Sequence, residues 1–102
     1  MFRRRTGWDL ADATERHAAA PDRFRVPGDE VLAALRVGDR VKVIVVPRQG
    51  LEERVWLTVV RVGELELEGR LESEPVEVRG LHAGDPVVLE RRHVVTVTRP
   101  LG

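Results

Sequence analysis

From Gly38 to near the end of the chain, apolar residues largely recur at every second position, and this period of two constrains the fold more than any other feature. Successive side chains of a β-strand point to opposite faces of a sheet, so the alternation predicts strands. The short connections between them favour an antiparallel meander. We therefore expect a mainly β protein, α+β by strict count, with five or six antiparallel strands in an SH3-like small barrel or a strongly bent sheet.

The predicted strands differ in how clearly they show a buried face. Val41–Val46 is β-branched and nearly all apolar, as in a strand that is covered on both sides or lies at a crowded core edge. Arg54–Val62 carries large apolar residues on both faces, so either face could be the buried one. Further strands are expected at Val76–Val78, Pro86–Leu89 and His93–Thr98.

The segment Glu64–Glu72 gives the clearest half-buried strand, with leucines on one predicted face and glutamates on the other. The leucines are Leu65, Leu67 and Leu71, and the glutamates are Glu64, Glu66, Glu68 and Glu72. Together with Glu74, these glutamates predict an acidic surface for a basic protein partner, because charge complementarity speeds association. The alternative is that the charges only keep an outer strand face soluble and block edge-to-edge pairing.

The first third of the chain predicts helices, and 102 residues fit a single domain over 1–102. A helix is expected over 6–20, where Thr6 can cap its start and Pro21 ends it. Residues 21–37 predict a linker with a short helix, and 38–98 the barrel or sheet. Trp8 and Trp56 are expected to be aromatic anchors, since a tryptophan buries a large apolar area.

Two segments share the pattern Leu, any, small apolar, Gly, Asp, any, Val, any, aliphatic: "LRVGDRVKV" at Leu35–Val43 and "LHAGDPVVL" at Leu81–Leu89. We interpret Gly38–Asp39 and Gly84–Asp85 as structural turns. Glycine tolerates a positive φ, and aspartate can accept nearby backbone N–H groups. Alternatively, the carboxylates could bind a metal, but a calcium loop needs several more oxygens at close spacing.

Few residues suggest catalysis. His82, Asp85 and His93 could meet in space as a metal site with two histidines and one carboxylate, which is the basis of an alternative hypothesis of a small hydrolase or metal-binding protein. Their spacing gives no positive support. The only serine, Ser73, lacks a "GxSxG" context, no glycine-rich phosphate loop precedes a helix, and the chain has no cysteine. We expect no enzyme, no catalytic residue, no metal and no cofactor.

Charge and composition bound the partners. The chain has 17 basic and 17 acidic residues, and this balance argues against general nucleic-acid binding, which needs a sustained basic field. No run approaches the roughly 20 apolar residues of a membrane span. The opening "MFRRR" is followed by polar sequence where a signal peptide needs an apolar stretch. We therefore expect a cytoplasmic protein that binds neither nucleic acid nor membrane.

The ordered segments "APDRF", "ALRVGDRVKVIV", "ERVWLTV", "GRLESEPV" and "GLHAGDPV", followed by His93-Val94, resemble the bacterial YegJ-like proteins of unknown function. The resemblance covers about 13–97. It departs at Glu74, where that family commonly has Asn or Asp, and at Thr96 and Val97, where it often has an acidic residue and an aromatic. The resemblance implies a small, non-enzymatic, mainly β domain of unestablished function, similar to some immunity proteins that neutralise toxins. It supplies no catalytic residues. We expect a binding or structural module that is a monomer or a dimer.

Overall fold

The computed structural model describes residues 7–99, which contain six strands, two short α-helices and one 3-10 turn. In chain order these elements are β1 Trp8–Leu10, α1 Ala13–Ala19, α2 Asp29–Ala33, β2 Arg40–Pro47, β3 Glu53–Val62, β4 Leu67–Leu71, β5 Pro86–Leu89, the 3-10 turn Arg91–His93, and β6 Thr96–Thr98. None of the helices within these residues is long and apolar enough to cross a membrane.

The six strands form one antiparallel sheet that curls into a half-barrel, which confirms the mainly β, barrel-like fold class. The order across the sheet is β1-β2-β3-β4-β5, and β6 also pairs with β2. β3 occupies one edge of β2, so β1 and β6 share the other edge, at opposite ends of the strand. β2 is therefore the central strand on which the N-terminal and C-terminal strands meet.

The concave side of the sheet holds the main core. Val41 and Val43 on β2, Leu57 on β3 and Leu67 on β4 are fully buried there. α2 contributes a further core residue, Leu32. The sequence left open which face of Arg54–Val62 is buried. In β3 the buried face carries Val55, Leu57 and Val59, and Trp56 and Thr58 lie on the other side.

The convex side is only partly covered. Ile44 of β2 is buried there in a second, smaller cluster with residues of α1 and the following loop. The members of this cluster are Ala11, Ala13, Ile44 and Val95, with Phe24, Val26 and Val46 packed against them. This cover explains why Val41–Val46 is apolar on both faces, as its composition predicted. Among residues 7–99, the other convex-side positions at the start of β2 and in the middle of β3 are only half-buried; they are Arg40, Lys42, Trp56 and Thr58.

The predicted helix over 6–20 is wrong at its start, since Trp8–Leu10 is a strand and the helix begins at Ala13. The edge of β2 supplies backbone partners for this segment, and Leu10 is buried in the main core. The cap is Asp12, whose carboxylate accepts the Glu15 N–H at 3.1 Å. The expected cap, Thr6, lies outside the described residues.

Two expectations for the C-terminal half are also corrected. Val76–Val78 is not a strand; the Val76 side chain is 87% exposed, and the N–H groups of Val76 and Glu77 donate to the Glu53 carboxylate instead of to a neighbouring strand. His93 does not begin a strand either. It ends the 3-10 turn and is buried, and β6 starts only at Thr96, because the turn closes through the His93 N–H to the Glu90 carbonyl.

Candidate functional site

The two Gly-Asp segments form the same turn. Gly38 and Gly84 have φ values of 96° and 87°, in the left-handed region that favours glycine. In each turn the aspartate carboxylate accepts the backbone N–H of the residue three positions earlier, at 3.0 Å for Asp39 and 2.8 Å for Asp85. The repeated sequence is therefore a repeated backbone geometry.

Each turn also extends a β-ladder. The Gly38 N–H donates to the Val59 carbonyl, and the Val59 N–H donates back to the Asp39 carbonyl. The second turn makes the same two bonds to Leu71. The turns differ in burial, since Asp39 is only 1% exposed and Asp85 is half-buried. Their backbone bonds continue the pairing of β2 with β3 and of β5 with β4 past the first residues of β2 and β5, which is a scaffold role.

The structure does not bring the three metal-site candidates together. His82 and Asp85 belong to the turn before β5, whereas His93 follows β5 at its other end. His93 is buried, and its Nδ1 accepts the Glu90 N–H at 3.0 Å. No group of three or more His, Cys, Asp or Glu residues within 7–99 could hold a metal ion. The hydrolase hypothesis therefore has no assembled site in this part of the chain.

His82 instead pairs with Glu74. Its Nδ1 lies 2.6 Å from one Glu74 oxygen, and the other oxygen accepts the Ala83 N–H at 3.0 Å. This contact raises the pKa of His82, mainly through the hydrogen bond to Glu74. The pKa of Glu74 is lowered, first by the Ala83 N–H and then by His82. The pair ties the loop after β4 to the turn before β5.

The His82–Glu74 contact gives a pH-dependence. Because the pKa of His82 is raised, the contact's contribution to stability is fully present below the free histidine value of about 6.5 and is lost as pH rises through the raised pKa. It is also lost at low pH, as Glu74 is protonated through its lowered pKa. In an NMR titration we expect the His82 pKa to fall toward the free value in Glu74→Gln; an unchanged pKa would contradict the pairing.

The predicted acidic strand face is corrected. Glu64, Leu65 and Glu66 lie in the turn before β4, and Leu65 is 79% exposed. The Gly63 N–H donates to the Glu66 carbonyl at 2.8 Å and closes this turn, so the strand starts only at the following residue. The alternation in the sequence thus runs across a turn that it does not reveal.

The five predicted glutamates do not share one strand face: Glu64 and Glu66 precede β4, and the others lie within it or after it. Glu68 alone lies within the strand. Glu72 and Glu74 follow its far end, where Glu72 binds Arg40 and Glu74 binds His82. A basic partner, including a basic toxin, would not find the single continuous acidic strand face that the sequence predicted.

A different surface lies on the open convex side of β2 and β3. Trp56 is half-buried there, directly opposite Lys42 in the β2–β3 register. The Arg40 guanidinium carbon lies 4.6 Å from the centre of the Trp56 ring, and the Lys42 ammonium lies 4.8 Å from it. Both distances are within the range of a cation–π interaction. Trp56 therefore lies outside the core and contacts two cations. Trp8, on β1, instead packs against the main core.

Arg40 also binds a carboxylate on this side. Its Nε and Nη2 each donate to a Glu72 oxygen at 2.7 Å, and the Thr58 hydroxyl donates to Glu72 at 3.1 Å. The Arg40 hydrogen bonds are the main cause of the lowered pKa of Glu72. Arg70 lies opposite Thr58 on β4 and is exposed. We call this surface the Trp56 face; it comprises Arg40, Lys42, Trp56, Thr58, Arg70 and Glu72.

The Trp56 face was missed in the sequence because its residues are spread over three strands. Arg40 and Lys42 are the polar positions of a strand whose other residues are almost all apolar, and that alternation was the available signal. It becomes informative only when the register places Lys42 opposite Trp56.

Comparison with known proteins adds no relative: no family model, no curated protein and no solved structure matches the chain. The resemblance to the YegJ-like proteins therefore stays a prediction.

Proposed function

We propose that this protein is a non-enzymatic binding module and that it binds a protein partner through the Trp56 face. The observation that carries the proposal is a half-buried tryptophan on the solvent side of the sheet, flanked by two cations at 4.6 and 4.8 Å. Tryptophan and arginine are the residues most enriched among those that dominate binding energy at protein interfaces. A protein partner was also expected from the sequence, but the proposed binding surface is the Trp56 face and not the glutamates between Glu64 and Glu74.

The local chemistry suits binding. Arg40, Lys42 and Arg70 supply positive charge and hydrogen-bond donors, and Glu72 is the one carboxylate of the face. A β-sheet holds these side chains on a rigid support, with their strands anchored from the other side by Val41, Leu57 and the rest of the buried core. Rigid presentation lowers the entropy that an interface loses on binding.

Trp56→Ala is the variant that tests the role of the face. A photo-crosslinking amino acid at Val60, which is exposed next to the Trp56 face on β3, should capture one recurrent protein from an extract of the host cells. We expect Trp56→Ala to reduce that product about tenfold, as for a central interface residue. The readout is the yield of the crosslinked product, identified by mass spectrometry.

The matched control places the same amino acid at Leu51, which is exposed in the segment between β2 and β3. It should give little of the same product. Thermal unfolding of Trp56→Ala must show that the variant is folded at the temperature of the experiment. Equal capture from both positions, or capture from Val60 that Trp56→Ala leaves intact, would show that Trp56 only covers the sheet.

A further inference from the structure

We propose that the partner presents a carboxylate-rich segment to the Trp56 face, and that its carboxylates compete with Glu72 for Arg40. This inference rests on the proposed function, because it names the chemistry of the partner for the same surface. It also assigns Glu72 a role as an internal competitor, which weakens binding as long as it occupies Arg40.

The first support is the geometry of Arg40 itself. Its guanidinium already binds a carboxylate through two parallel hydrogen bonds of 2.7 Å, the arrangement in which arginine recognises carboxylates most specifically. The Arg40 side chain is nevertheless 43% exposed, so an incoming group can reach it. At this exposure water can solvate both charges when the pair opens, so Glu72 can be exchanged for another carboxylate.

The second support is the surplus of positive charge around that pair. Within residues 7–99 Lys42 forms no ion pair, and its ammonium rests over Trp56. Arg70 donates to the Gly84 carbonyl at 3.2 Å, which leaves its charge uncompensated by any carboxylate in the described part of the chain. The backbones of Arg40 and Arg70 are two strands apart, with Thr58 between them, which corresponds to about 10 Å. An extended acidic segment could therefore contact both cations at once.

A protein segment is favoured over a nucleic acid on two grounds. Single-stranded nucleic acids are bound by a series of aromatic platforms along a basic groove, and this face offers only Trp56. The chain as a whole is also neutral, with 17 basic and 17 acidic residues, so it lacks the long basic surface that contacts many successive phosphates of a nucleic acid.

The experiment uses the full chain with Trp8→Phe, so that Trp56 is the only fluorophore of its kind. The probes are an eight-residue glutamate peptide and an eight-residue thymidine oligonucleotide, titrated at low salt and followed by Trp56 fluorescence and by anisotropy of a dye on the probe. We expect the peptide to bind, Lys42→Ala to weaken it, and Glu72→Gln to tighten it about three- to fivefold by releasing Arg40.

Glu64→Gln is the matched control, because it removes the same charge from the turn at the other end of β4. It should change the peptide affinity by less than twofold. If Glu72→Gln and Glu64→Gln raise the peptide affinity equally, net charge and not the release of Arg40 explains the change. Tighter binding of the oligonucleotide than of the peptide would overturn the choice of partner. A peptide that does not bind, while Trp56→Ala still reduces the crosslinked product from Val60 about tenfold, would refute this inference and leave the proposed function standing.

Discussion

Asp39→Ala should lower the free energy of unfolding by about 2 kcal/mol, whereas Asp85→Ala should cost about half as much. Each carboxylate accepts the backbone N–H three positions earlier in its own turn, Asp39 from Arg36 at 3.0 Å and Asp85 from His82 at 2.8 Å. Asp39 is only 1% exposed, so its loss leaves a donor that water cannot readily reach. At the half-buried Asp85, water can replace much of the lost bond. Urea unfolding with unchanged m-values measures both losses.

Asparagine variants separate the hydrogen bond from the charge. Asp39→Asn keeps an acceptor oxygen for the Arg36 N–H but loses the charge that faces Arg99 Nε at 3.5 Å. Because the Arg99 side chain is 43% exposed, water can solvate its charge, and we expect Asp39→Asn to recover most of the stability. Equal losses for Asp39→Ala and Asp85→Ala would mean that burial does not decide the value of this bond.

The features predicted correctly are those that local chemistry decides. The strands at Val41–Val46, Arg54–Val62 and Pro86–Leu89 are found almost at the expected bounds, and a short helix lies in the predicted linker region. The two turns are likewise decided locally, by a glycine with positive φ followed by an aspartate that accepts a nearby backbone N–H. Each of these features depends on a few neighbouring residues.

The errors arise where a distant segment decides. Trp8–Leu10 has a pattern compatible with the start of a helix, but the edge of β2, some 35 residues later, provides backbone partners and buries Leu10. The alternation of leucine and glutamate similarly continued through a turn, so Leu65 was assigned to a face that it does not share. Only pairing with β3 shows that the strand starts at Leu67.

The Trp56 face could not be derived for the same reason. Lys42 and Trp56 are 14 positions apart, and Arg70 follows another 14 later. Periodicity places each of them on one side of its own strand, but a shift of one residue in register would place Trp56 on the core side. The sequence therefore contains the residues of the face without the information that they are neighbours.

Gly69→Ala tests the tightest contact between two of these strands and should be the most destabilising of the small substitutions. A Cβ at this position would lie 2.8 Å from the Leu57 Cβ, and both atoms are attached directly to the backbone of paired strands. Neither can swing away, and Leu57 is fully buried, so β3 and β4 must move apart. We expect a loss of about 2–3 kcal/mol in the free energy of unfolding, measured by urea unfolding.

Gly28→Ser is the control, since a Cβ there meets nothing within 4 Å and a serine at this helix cap should stabilise by a few tenths of a kcal/mol. The double variant with Leu57→Ala identifies the clashing atom. Alanine keeps the Cβ and removes the Cδ1, which would lie at 3.3 Å. If the Cβ causes the clash, Gly69→Ala costs as much in the Leu57→Ala background as in the wild type. If Gly69→Ala costs much less in the Leu57→Ala background, the clash is with the outer part of the leucine side chain. The close contact would then not be fixed by the backbones of β3 and β4.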